Sequence, residues 1–117
     1  MEKNSPVPMS SKDISWKSDR EVKFNNPPGN NLTAAFAGYA KPSYWTKPVT
    51  ELDPKNPSNN GFKNEDFIVW MRVAAFPTFR KLYRRLDRGS GDYKSGLPKG
   101  QYNLTVEYSI FSLLYNL

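Results

Sequence analysis

Two carboxylates, Glu65 and Asp66, stand side by side just ahead of an apolar run. Paired carboxylates can share a proton or a metal ion when they converge, but adjacent residues point to opposite faces of a strand or diverge by about 100° around a helix. They are therefore expected to flank a turn. Histidine and cysteine are both absent, which removes imidazole bases, thiol nucleophiles, disulfides and nearly every zinc constellation. The remaining Asp, Glu, Lys and Tyr residues show no spacing that assembles an acid–base or nucleophilic centre, so the expectation is a protein that is not an enzyme, with no cofactor and no bound metal. Gly89, Gly91, Gly96 and Gly100 match neither a dinucleotide fingerprint nor a phosphate-cradling Walker loop.

Trp16, Trp45 and Trp70 could form a ligand platform, but tryptophans so far apart in sequence more commonly anchor cores or interfaces. Two tripeptides, Asn31-Leu32-Thr33 and Asn103-Leu104-Thr105, are acceptors for N-linked glycans, while Asn56-Pro57-Ser58 is barred by its proline. The basic residues Arg72, Arg80, Lys81, Arg84, Arg85 and Arg88 fall in one segment, with Phe79, Leu82, Tyr83 and Leu86 among them. A solvated basic face over an apolar stripe explains this pattern, and a nucleic-acid surface built on Arg72–Arg88 is the competing reading.

These residues must be positioned by a small fold. A chain of 117 residues with 38% hydrophobic content and ten prolines supports one core at most. The net charge of +6 favours acidic partners. The longest apolar stretch, Ile110–Leu117, falls far short of the ~20 residues that span a bilayer. The start, Met1-Glu2-Lys3-Asn4, is polar and has no signal-peptide character.

Residues 1–12 read as a disordered leader. Asn31 can cap a short helical turn, since Leu32, Ala35 and Phe36 share a face. The four prolines at 42, 48, 54 and 57 argue against a long helix or central strand between Tyr39 and Asn60. Asn59-Asn60-Gly61 signals a tight turn. The run Phe67–Met71 is expected to be a strand buried on both faces, with Phe67, Val69 and Trp70 in the core. Phe79, Leu82, Tyr83 and Leu86 are spaced for an amphipathic helix. Tyr102, Leu104, Val106 and Tyr108 alternate with polar residues, which predicts a strand that is wet on one side and places Asn103 on the wet face.

The stretch from Asn59 to Arg85 (NNGFKNEDFIVWMRVAAFPTFRKLYRR) closely resembles the transmembrane protein 30 family, also called the cell-division-control-50 or ligand-effect-modulator-3 family. Further matches are Ile14–Asp19, Val22–Phe24, Pro27-Pro28-Gly29, Lys41-Pro42, Trp45, Lys47-Pro48-Val49 and Leu97–Tyr102. The resemblance implies the beta subunit of a type IV P-type ATPase: two membrane helices and, between them, a glycosylated β-rich extracytoplasmic domain without an active site. Such a subunit partners the catalytic subunit, acts on membrane phospholipid only indirectly, supports exit from the endoplasmic reticulum, and needs no nucleic acid.

On this reading the fold class is mainly β with short helices, an antiparallel and incomplete α+β ectodomain. Residues 13–108 are its later half, and 109–117 form a divergent tail. The location implied is the extracytoplasmic side of endoplasmic reticulum, Golgi and plasma membranes, the chain itself being a fragment or truncated isoform. Asn103 and Asn31 are the candidate glycan sites. Trp70, Arg72, Phe79, Arg80 and Tyr83 are the candidate core or partner-contact residues. The glycosylated asparagine that the resemblance implies near the last strand aligns with Thr105, two residues beyond Asn103.

Overall fold

The fold is given by a computed structural model that describes residues 5–43, 45–89 and 91–107. Its elements in chain order are β1 (Met9–Ser10), a π turn (Asp19–Lys23), α1 (Leu32–Ala35), 3₁₀ turns at Val49–Glu51 and Gly61–Lys63, α2 (Glu65–Met71), β2 (Arg85–Leu86) and a 3₁₀ turn at Gly91–Tyr93. β1 and β2 pair antiparallel, with Met9 opposite Leu86 and Ser10 opposite Arg85. The Asp87 N–H extends this ladder to the Pro8 carbonyl at 2.9 Å. The result is a small mixed α and β arrangement, whose β content among the described residues is this one pair.

Several local expectations hold. Asn31 caps α1, its Oδ1 accepting the Thr33 N–H at 3.0 Å and the Ala34 N–H at 3.4 Å. The proline-rich stretch forms turns and a single 3₁₀ turn. Gly61 takes φ +68°, the left-handed conformation glycine adopts without penalty, and a Cβ there would collide with Asn26 Oδ1.

Three expectations are corrected. Residues 65–71 are helical, so Phe67–Met71 is not a strand. Asn64 Oδ1 accepts the Phe67 N–H at 2.9 Å, and Glu65 and Asp66 place negative charge in the first turn, where the helix dipole favours it. A helix this short buries one stripe. Ile68 takes the buried position at 1% exposure, and Trp70, about 200° further round, is 56% exposed and not in the core.

Residues 79–84 form no helix and take no regular secondary structure. The Lys81 ammonium donates to the Trp70 carbonyl at 2.7 Å, and Arg84 grips the Asp66 carboxylate. These ties lay the segment antiparallel along α2, Lys81 at a carbonyl of its last turn, where acceptors are left unpaired, and Arg84 at a side-chain carboxylate of its first turn. Tyr102–Glu107 forms no strand, and Leu104 is 90% exposed. The alternation is present, but none of the described residues supplies a partner strand. Tyr108 and the 109–117 tail lie outside the described residues.

Among the described residues the buried apolar side chains are Ile14, Phe36 and Ile68, accompanied by the buried polar residues Ser15, Asp19, Asn60 and Asn64. Aromatic rings extend this core. Phe36 meets Phe62 edge-on at 4.9 Å, Phe62 stacks on Phe67 at 5.5 Å, and Trp45 bridges Phe67 to Trp70 at 6.1 and 5.5 Å.

Candidate functional site

Glu65, expected only to flank a turn, is the main long-range tie of the fold. Its Oε1 accepts the Asp13 N–H at 2.9 Å, and its Oε2 accepts the Ser15 N–H at 3.0 Å and the Ser15 hydroxyl at 2.8 Å. Arg20 stands at 3.3 Å and also holds Asp13 at 2.6 Å. Burial pushes the Glu65 carboxyl up, but the hydrogen bonds from Ser15 and Asp13 and the Arg20 charge outweigh it, leaving the group below the ordinary carboxylate range. Asp66 faces a different cation, Arg84. The two carboxylates therefore serve separate ion pairs and share nothing, as their adjacency requires.

Behind them lies a carboxamide network. Asn59 Oδ1 accepts the Glu65 N–H at 3.1 Å, and its Nδ2 donates to Asp53 Oδ2 at 2.7 Å. Asn60 and Asp53 are tied twice more, and Asn64 Nδ2 donates to the Asn59 carbonyl at 2.8 Å. The Asn59 side chain, followed by the backbone N–H groups of Lys55 and Asn56, holds the Asp53 carboxyl below its ordinary value. Sequence reasoning passed over these asparagines as turn formers. Their density between Asp53 and Asn64 was the available signal.

The candidate contact residues divide between two places. Arg72 lies over the Trp16 ring at 3.7 Å and pairs with Asp19 at 2.6 Å. Arg72 and Arg80 line one cavity of about 190 Å³, together with Trp16, Lys81 and Leu82. Trp70 instead lines a second, with Trp45, Phe67 and Asp66. Phe79 and Tyr83 are exposed, each with a cation over its ring, Lys81 at 5.7 Å and Arg84 at 4.4 Å. Val73 and Phe76 extend the same uncovered apolar stretch. Asn31 and Asn103 both sit at the surface.

Of the three tryptophans, Trp45 and Trp70 come together and Trp16 joins the arginine side instead. Two of the basic residues counted toward a nucleic-acid surface, Arg72 and Arg84, are occupied by Asp19 and Asp66. Nothing in the arrangement supports that reading. No helix among the described residues is long and apolar enough to cross a membrane.

Comparison with known proteins agrees with the resemblance. The LEM3 (ligand-effect modulator 3) / CDC50 family matches residues 1–116. Cell cycle control protein 50C of Mus musculus is 55% identical over 103 residues, which is 88% of this chain and 30% of that protein. Cell cycle control protein 50A of Rattus norvegicus is 54% identical over 105 residues, 89% of this chain and 32% of that protein. The putative ALA-interacting subunit 4 of Arabidopsis thaliana is 41% identical over 104 residues, 86% of this chain and 27% of its own length. The chain thus spans about a third or less of the curated relatives it matches. It belongs to the LEM3/CDC50 family.

Proposed function

We propose that this chain forms part of the extracytoplasmic domain of a non-catalytic accessory subunit, one that binds the catalytic subunit of a phospholipid-translocating P-type ATPase and supports its assembly, exit from the endoplasmic reticulum and aminophospholipid flipping. The partner comes from the family and from a relative whose printed name is that of an ALA-interacting subunit. The structural observation that supports a binding role is the uncovered apolar and basic stretch Val73–Tyr83. There Val73 and Phe76 are 86% and 76% exposed, beside Arg80 and the Trp16–Arg72 stack. Exposed apolar area of this kind on a soluble surface marks contact with another macromolecule. The membranes of the endoplasmic reticulum, Golgi and cell surface are the compartments this role implies.

The test is capture of a co-expressed ATPase catalytic subunit on this protein, with Phe76→Ser, Phe79→Ser and Arg80→Glu combined. All three residues are exposed, so the fold should survive, and loss of an apolar anchor with a charge reversal should reduce capture at least ~10-fold. Undiminished capture by the triple variant, with circular dichroism unchanged, counts against this surface. No capture by the unsubstituted protein counts against the role itself.

A further inference from the structure

The hydrogen-bonded asparagine side chains of this fold use their carboxamides in two ways. Asn25, Asn26, Asn59, Asn60 and Asn64 each donate Nδ2 to an oxygen of the protein, so that nitrogen is committed to the structure. Asn31 is built the other way round. Its Oδ1 accepts the Thr33 and Ala34 N–H groups, its carbonyl accepts the Ala35 N–H at 2.9 Å, and its Nδ2 donates to none of the described residues. Asn31 and Thr33 are both exposed. The capping oxygen and the free nitrogen are opposite ends of one carboxamide.

We infer that Asn31 carries an N-linked glycan, and that the folded chain accommodates it without giving up the α1 cap. The site is defined by the tripeptide Asn31-Leu32-Thr33 on an exposed residue whose Nδ2 donates to none of the described residues, and the helix end matters only in showing which atom is already in use. The inference rests on the extracytoplasmic reading, because the donor is a polyprenyl-diphosphate-linked oligosaccharide on that side of the membrane. Nδ2 bonds to the anomeric carbon of the first sugar, and the bond from that carbon to the diphosphate oxygen breaks. The diphosphate leaves with the bonding pair, and a base of the transferase takes one of the two amide protons. The remaining N–H and Oδ1 stay on the side chain, so the contacts to Thr33 and Ala34 persist.

An internal control is present. Asn56-Pro57-Ser58 has the same kind of turn, with Asn56 Oδ1 accepting the Ser58 N–H at 3.2 Å and the Ser58 hydroxyl at 2.7 Å, but its proline bars modification.

The experiment expresses the whole chain in mammalian cells as it stands and, separately, behind a cleavable secretory leader. Only leader-cleaved material is analysed in the second arm. An amidase that removes N-glycans converts each bearing Asn to Asp, and peptide masses then read Asn31, Asn56 and Asn103 one by one. The expected result is conversion at Asn31 and none at Asn56. Thr33→Ala should abolish conversion at Asn31 and leave the thermal midpoint of enzymatically deglycosylated protein unchanged, whereas Asn31→Ala should abolish conversion and lower that midpoint.

Leader-cleaved chain with Asn31 unconverted, whatever happens at Asn103, overturns the inference, as does a Thr33→Ala chain still converted at Asn31. If Thr33→Ala lowers the midpoint as much as Asn31→Ala, the separation of cap and glycan is wrong. Conversion at Asn31 in the leader-directed arm upholds the site whatever the bare chain does, and the extracytoplasmic reading is judged separately, by whether the same material captures the ATPase catalytic subunit.

Discussion

Residues 13–71 and residues 72–107 are made of similar material and behave differently. Every buried residue among those described lies in the first region, from Ile14 to Ile68. The second contributes cations that reach back to it: Arg72 to Asp19, Lys81 to the Trp70 carbonyl, Arg84 to Asp66. Its own apolar side chains, Val73, Phe76, Phe79 and Leu104, face outward. Apolar content alone therefore does not make a core. The first region has one because carboxamides and carboxylates satisfy its backbone groups and allow the chain to close around a few apolar side chains. The second is moored by charge and keeps its hydrophobic surface for something else.

The largest effect expected from this contrast is at Ile68. Ile68→Ala should cost about 2–5 kcal/mol, since it empties a fully buried site in the wall it shares with Ile14, while Val73→Ala should cost no more than about 0.5 kcal/mol. Urea unfolding midpoints compare them directly, and equal shifts would break the distinction between the regions.

Next is Glu65→Gln, expected to cost roughly 1–3 kcal/mol at pH 7, because a charged acceptor of several hydrogen bonds is replaced by a carboxamide that must turn a donor toward one of them. The pH dependence gives the sharper reading. The folded-state pKa of Glu65 lies below its unfolded value, so its contribution is complete above the ordinary glutamate value of about 4.3 and is lost as pH falls through the lower folded value. Glu65→Gln should remove that part of the acid slope. A variant whose stability falls with acid as steeply as the parent would show that other carboxylates dominate.

A smaller effect than at Ile68 or Glu65 is expected at Trp70. With its side chain more than half exposed, Trp70→Ala should cost about 1 kcal/mol, below the ~3–5 kcal/mol typical of a buried aromatic. A loss of the full size would place Trp70 in the core after all.

What the sequence disclosed follows the same division. Asn31, the proline-rich stretch and Gly61 were legible because each acts through its own backbone and near neighbours. Phe67–Met71 was misread because a short apolar run has no period that separates helix from strand. The deciding signal was Asn64 with Glu65 and Asp66 behind it, a helix start written in residues taken only as turn charges. The residues at 79–86 carry a helical spacing, but two cations tied to α2 and the pairing of β2 with β1 hold them out of a helix. The alternation from Tyr102 to Val106 describes a face and not its cover. For the candidate site, the basic segment was visible and its internal pairing was not, since Asp19 and Asp66 are brought to Arg72 and Arg84 only by the fold.

The Glu65 carboxylate also imposes a timetable on biosynthesis. Its acceptors serve Asp13 and Ser15, 52 and 50 residues earlier in the chain. At synthesis rates of about 5–20 residues per second, those N–H groups wait roughly 3–10 s for the residue that satisfies them. Closing so long a loop is an entropic step that no local turn can shorten. α1 and its asparagine cap are synthesised within that interval and need only local partners, whereas the first region as a whole does not. The N-terminal third of the chain must therefore emerge as an open, solvated segment and be gathered in only when α2 begins.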